Sequence, residues 1–254
     1  MSALLAVDAL RAGYGETVVL EDISFAVEPG QVLAVLGRNG VGKSTLMETI
    51  LGFTTVHAGT VSFEGTPIQQ WPTFRRNRIG IGYVPQEREV FPSLSVEENL
   101  LVASRTGGWQ AADVYELFPS LSQRRHSFGS TLSGGEQQML AIARALMGGP
   151  KVLILDEPME GLAPIVVEKL YESLVRLRDR SHIAMILIEQ HAELALSISD
   201  QAIVLDRGRI VHRGSARSLL ADGTLRDSLL GLAREVQNPS PGEQHDASHG
   251  THAL

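Results

Sequence analysis

Val32-Leu33-Ala34-Val35-Leu36-Gly37-Arg38-Asn39-Gly40-Val41-Gly42-Lys43-Ser44-Thr45 begins with five apolar residues in a row and then turns abruptly glycine-rich. An unbroken apolar run of this length predicts a strand buried on both faces, as in a parallel sheet covered by helices on either side. Residues 37–44 fit G-x-x-x-x-G-K-[ST] without a mismatch, between that strand and a helix expected over residues 43–51. The glycines let the backbone wrap so that successive N–H groups face one hollow, and the helix N-terminus adds partial positive charge. Lys43 is then placed to reach the β- and γ-phosphates of a nucleotide, and Ser44 to offer its hydroxyl to Mg²⁺. Lysine is scarce in this chain, standing only at positions 43, 151 and 169, and one of the three falls where a phosphate needs it. Residues Gly37, Arg38, Asn39, Gly40, Val41, Gly42, Lys43, Ser44 and Thr45 form the candidate phosphate site.

Outward from this loop, strand and helix patterns alternate. Further strands are expected over residues 4–10, 18–27, 60–63, 81–84, 151–155, 183–188, 203–205 and 210–212, with a hairpin turn at residues 206–209. Gly13 and Gly15 supply turn signals between the first two. From Gln86 to Ser133 the pattern is mostly helical, which reads as a helical subdomain inserted into an α/β core at about residues 87–135. Leu153-Ile154-Leu155-Asp156-Glu157 is an apolar strand ending in two carboxylates, which therefore emerge at the strand's C-terminal edge, where α/β sites lie. Asp156 can hold Mg²⁺ through its water shell. Glu157 is placed to polarise an attacking water as general base.

Composition narrows the possibilities. The chain has 22 basic and 29 acidic residues, a net charge of −7, so it carries no overall basic field for gathering nucleic acid. Any anion must be held by local geometry. The absence of cysteine excludes a disulfide scaffold, a thiolate metal site and a cysteine nucleophile. The N-terminus lacks a basic region, Asp8 cuts its apolar run short, and no apolar run approaches the ~18 residues of a membrane span, so a soluble cytoplasmic chain is expected. Residues 235–254 carry three acids, no Lys or Arg, and are rich in Pro, Gly, Ser and His. They read as a disordered, solvated tail, in which His245, His249 and His252 lack a scaffold to fix metal geometry.

Leu132-Ser133-Gly134-Gly135-Glu136-Gln137-Gln138 precedes a helix expected to run to about residue 147. Ser133 with Glu136 three residues on reads as a capping box, and the same helix N-terminus reads as an anion site; both can hold at once. Lying between the glycine-rich loop and Leu155-Asp156-Glu157-Pro158, this heptad resembles the signature of ATP-binding-cassette (ABC) ATPases, and the resemblance covers about residues 4–232. It implies one ABC ATPase domain over residues 1–234, of α/β class: a P-loop NTPase core with an N-terminal antiparallel β subdomain and an inserted α-helical subdomain. ATP and Mg²⁺ are the implied ligands. Tyr14 is similar to the aromatic residue that stacks on adenine, a core tyrosine being the alternative. Gln86 resembles the glutamine that senses Mg²⁺ and the γ-phosphate and couples the site to the helical subdomain. Ser133, Gly134, Gly135 and Glu136 resemble the segment that closes over ATP held by a second ATPase subunit, homo- or heterodimeric.

Two positions depart from the wider family. Where a switch histidine usually follows the strand at residues 183–188, the slot falls on Gln190, with His191 one residue later. An amide can donate to a phosphate but cannot take up its proton. Gln190 is the favoured switch and His191 the shifted alternative. Glu160-Gly161-Leu162-Ala163 stands where Ser-Ala-Leu-Asp is common, which removes an aspartate from the cross-subunit loop. These departures resemble the ATPases of branched-chain amino acid importers and their urea-type relatives. The implied partners are integral membrane permease subunits, a second ATPase subunit and, indirectly, an extracytoplasmic solute-binding protein. The implied place is the inner face of the cytoplasmic membrane. Phe91 and Pro92 fit either a permease-docking surface or an ordinary loop staple. A non-transport cassette acting on nucleic acid or ribosomes fits less well, for want of a basic stripe, a coiled-coil insertion or a second cassette.

Overall fold

The computed structural model describes residues 3–231, and the tail expected at residues 235–254 lies outside the described residues. Strands β1 (Leu5–Tyr14), β2 (Thr17–Val27), β3 (Val32–Leu36), β4 (Thr55–Phe63), β5 (Thr66–Pro67), β6 (Ile81–Val84), β7 (Val152–Asp156), β8 (Ala184–Glu189), β9 (Gln201–Asp206) and β10 (Arg209–Ser215) form two sheets. The first is antiparallel, in the order β2-β1-β4-β5. The second runs β10-β9-β3-β8-β7-β6, parallel from β9 to β6 with β10 antiparallel at its edge. The α/β class with an N-terminal antiparallel sheet is therefore as expected.

The central strands β3, β7 and β8 are buried at every residue, which explains their unbroken apolar runs. Alternate side chains serve opposite faces. Leu33, Val35, Val152, Ile154, Ile186 and Ile188 pack toward the antiparallel sheet, together with Leu46, Met47 and Ile50 of the helix Lys43–Leu51. Val32, Leu153, Leu155, Met185 and Leu187 pack on the other face, against the helices Val96–Ala103, Gly134–Met147 and Pro164–Arg180. The phosphate-loop helix thus lies inside the molecule, between the two sheets.

β1 and β4 run further than the apolar pattern indicates. Ala9 (φ 43°), Asp22 (φ 55°) and Gly59 (φ 80°) sit at register shifts, so bulges absorb the breaks and the strands continue past them. Between Gln86 and Ser133 the chain is less helical than its pattern suggests. Only the short helices Val96–Ala103, Ala111–Leu117 and Pro119–Gln123 and one 3₁₀ turn form there. Buried Asn99 orders the intervening loop, its amide donating to the carbonyls of Phe91, Leu94 and Ser95 and accepting from the Phe91 N–H. Among the described residues no helix is long and apolar enough to cross a membrane.

Candidate functional site

The glycine-rich loop leaves β3 and turns into its helix through Gly42, which takes a left-handed conformation (φ 110°) at the N-cap with no side-chain cap. The first N–H groups of the helix are therefore left for an external acceptor. Lys43 folds back over the loop. Its Nζ donates to the carbonyls of Gly37 (2.8 Å) and Arg38 (3.2 Å) and lies 3.4 Å from Glu157 Oε1, with only 5% of the residue exposed. A buried ammonium needs oxygen partners, and phosphate oxygens would be stronger ones than loop carbonyls.

Glu157 stands just beyond β7 in a left-handed conformation (φ 43°), rare for a side chain of this kind and of the sort that collects at functional sites. Its N–H donates to Ile188 O (2.9 Å), fixing the strained turn to the neighbouring strand. Gln190 Nε2 donates to Glu157 Oε2 (2.9 Å) from the end of β8. Burial works against the charge on Glu157. Hydrogen bonds with Glu160, Gln190 and Lys43, together with the lysine's charge, outweigh it and hold the carboxyl below its ordinary range. Asp156 is buried beside it and accepts from the Tyr83 hydroxyl (3.3 Å). Burial first, and then the charge of Glu157, push the Asp156 carboxyl up to about 6.

Sequence reasoning missed Glu160 as a member of this cluster. Its carboxylate accepts from Gln86 Nε2 and faces Glu157. The hydrogen bond with Glu157, then burial, raise its carboxyl above the ordinary range. Gln86, Glu160, Glu157 and Gln190 therefore form one chain of amides and carboxylates. It borders a cleft of about 290 Å³ shared with Asn39, Gly40, Gly42, Lys43, Ser44 and Thr45. His191 lies outside that cleft, on the wall of an adjoining one of about 790 Å³ that also holds Gly37, Arg38 and Asp206. Glu189 was missed as well. It is buried at the end of β8, accepts from the Met159 N–H (3.2 Å), and burial pushes its carboxyl up to about 7.

Tyr14 is no core residue. It is 47% exposed at the tip of the β1–β2 hairpin, with its hydroxyl donating to Glu48 Oε2 (2.5 Å) and 3.4 Å from Thr45 Oγ1. The signature residues stand apart, lining neither cleft. Ser133 and Glu136 do form a reciprocal capping box: Ser133 Oγ accepts from the Glu136 N–H (3.3 Å), and Glu136 Oε2 accepts from the Ser133 N–H (2.8 Å). Gly134 packs under the Arg88 guanidinium and Gly135 against Val166. The signature helix and the phosphate-loop cleft are thus two separate places on the chain.

Ser44 and Gln86 both line the smaller cleft and offer hard oxygens of the kind Mg²⁺ takes, whereas the Asp156 carboxylate, which accepts from Tyr83, is buried and lines neither cleft.

A family model described as ABC transporter matches residues 20–160. The chain is similar to the high-affinity branched-chain amino acid transport ATP-binding protein BraG of Pseudomonas aeruginosa, 41% identical over 237 residues, covering 90% of this chain and 100% of that protein. It is also similar to the probable branched-chain amino acid transport ATP-binding protein LivF of Archaeoglobus fulgidus, 39% identical over 228 residues, covering 88% of this chain and 97% of that protein. Among solved structures it resembles cbiO1 of Clostridium perfringens, part of the ABC transporter complex cbiONQ, with a TM-score of 0.76 at 26% identity over 90% of this chain and 95% of that one. With relatives matched over about nine-tenths of its length, an intact phosphate loop and a positioned carboxylate behind it, the chain belongs to the ABC transporter family as an ATP-binding and ATP-hydrolysing subunit.

Proposed function

We propose that this chain is the ATPase subunit of an importer for branched-chain amino acids, held at the inner face of the membrane by its permease. The convergence of Lys43, Glu157, Gln190 and Gln86 on one cleft at the phosphate loop carries the catalytic reading. The N–H groups of the loop and the Lys43 ammonium bind the phosphates. Phosphate oxygens entering the hollow draw Lys43 away from Glu157 and free that carboxylate to take a proton from water. Gln190 holds Glu157 from the far side and offers its amide to the γ-phosphate. Mg²⁺, held by Ser44, Asp156 and Gln86, would neutralise charge on the β- and γ-phosphate oxygens. Ser133, Gly134 and Gly135, which line neither cleft, close on the ATP of a second subunit.

The permease docks beside the Gln86 segment. There Phe91 is 40% exposed with Arg144 stacked 4.3 Å over its ring, and Leu101 and Val102 stand in solvent nearby in the chain. The Asn99 amide ties this loop together through the carbonyls of Phe91 and Leu94.

The solute reading rests on the similarity to BraG and LivF, and the test is uptake. Cells expressing the full transporter should accumulate labelled leucine when this subunit is intact and lose that uptake with Glu157→Gln. Uptake of urea without leucine would assign the chain to the urea-type branch instead. Uptake of neither solute by the intact transporter would overturn the importer reading.

A further inference from the structure

Tyr14 ends β1 and pairs with Thr17 across a two-residue turn, Gly15-Glu16. A ring at a hairpin tip, half in solvent, has little packing to fix its torsions. Its hydroxyl is nonetheless held, donating to Glu48 Oε2 at 2.5 Å and lying 3.4 Å from Thr45 Oγ1. Glu48 makes no other side-chain hydrogen bond or ion pair among the described residues. It is not a helix cap, since it sits in the interior of Lys43–Leu51. Its placement is electrostatically adverse for the proposed ligand, because it puts a carboxylate in the same short helix that receives a polyanion at its N-terminus. A group that opposes phosphate binding yet spends its hydrogen bond on Tyr14 calls for a role at the base rather than at the phosphates.

We propose that Glu48 is a positioning residue for nucleotide binding: it anchors the Tyr14 hydroxyl to the phosphate-loop helix and so holds the ring as a pre-set platform for the base. The inference rests on the reading of Tyr14 as the aromatic that stacks on adenine. Its physical basis is pre-organisation, in which a ring already ordered loses less freedom when the base lands on it. A charge-assisted O–H···O⁻ bond is strong enough to do this where packing is absent. Burial and then the bond to Glu48 raise the phenol's pKa above its ordinary value.

The experiment compares two ligands on the full chain by titration calorimetry, with Mg²⁺ present: a non-hydrolysable ATP analogue, and inorganic tripolyphosphate, which has the phosphates but no base. Glu48→Ala and Tyr14→Phe should each weaken the ATP analogue roughly three- to tenfold, the cost of ordering one aromatic side chain on binding. The double variant should be no weaker than either single one, because both remove the same bond. Tripolyphosphate should bind at least as well to Glu48→Ala as to the unaltered chain. Glu48→Gln, which keeps an acceptor for the hydroxyl, should restore most of the loss. Three outcomes overturn the proposal. If Tyr14→Ala weakens the ATP analogue but Glu48→Ala and Tyr14→Phe do not, the platform stands without its anchor. If Glu48→Ala weakens both ligands equally, Glu48 supports the helix and not the ring. If Tyr14→Ala leaves the ATP analogue unaffected, the platform reading itself falls, and the anchor with it.

Discussion

Glu157 carries a strained backbone, a lysine on one carboxylate oxygen and a glutamine on the other, and each restraint has a different consequence for chemistry. Replacing it by Gln keeps the shape and the hydrogen-bonding reach but removes the proton acceptor. Turnover should fall at least ~100-fold, the lower range for a general base, while Mg-ATP still raises the melting temperature. Lys43→Ala should do the reverse at the binding step and abolish the Mg-ATP thermal shift. A Glu157→Gln chain that turns over at the unaltered rate would remove Glu157 from the role of base. The loop, Lys43, Asp156 and Glu157 were legible because each is fixed by local order: strand, glycines and helix, or strand and carboxylates. Glu160 was not. Sequence reading took Glu160-Gly161-Leu162-Ala163 as a departure from Ser-Ala-Leu-Asp that costs the cross-subunit loop its aspartate, and gave Glu160 no place in the cluster. Its partner Gln86 is 74 residues away and reaches it only through the parallel pairing of β6 with β7. Gln190 was chosen over His191 on alignment to β8, and the structure brings its amide to Glu157.

At the scale of elements, the signature helix shows how packing and binding residues are interleaved. A Cβ added to Gly135 would lie 2.2 Å from Val166 Cγ1 on the helix Pro164–Arg180, so the two helices approach closely at that point. Gly135→Ala should therefore destabilise the chain by about 1–3 kcal/mol, the usual cost of overpacking. Val166→Ala in the same chain should recover part of that loss in urea unfolding. If Gly135→Ala leaves the unfolding midpoint unchanged, the glycine is there for the ligand alone. Elements whose burial is two-sided, β3, β7 and β8, could be read directly from their apolar runs. The extensions of β1 and β4 could not, because left-handed residues at Ala9 and Gly59 break the period without ending the strand. The segment between Gln86 and Ser133 misled in the other direction. Its helical periodicity is spent on short helices and on loops ordered by Asn99.

For the molecule as a whole, the net charge of −7 says little about the ligand, because the proposed phosphate hollow is lined by backbone N–H groups and one buried lysine. Acidity matters instead through the two carboxyls buried beside the cleft. Glu189 is pushed up to about 7 and Asp156 to about 6, both chiefly by burial. In the unfolded chain both return to ordinary carboxyl values near 4, so between pH 4 and 7 the folded protein holds protons that the unfolded one has released. Stability then falls as pH rises through that window, and the cost is fully present above pH 7. For Glu189 it is on the order of 3 kcal/mol at pH 8, with roughly 2–4 °C of melting temperature for each kcal/mol in a chain of this size. Thermal melts at pH 5 and pH 8, without nucleotide, should show the unaltered chain losing several degrees. Glu189→Gln, which keeps an acceptor for the Met159 N–H, should lose fewer and should melt above the unaltered chain at pH 8. Asp156 contributes to the slope left in that variant, and Mg²⁺ should lessen that slope if Asp156 binds the ion, because bound metal favours the ionised carboxylate. Equal slopes for the two chains would mean that Glu189 is ionised in the fold without cost, with the N–H groups of Met159, Gln190 and His191 compensating its burial in full.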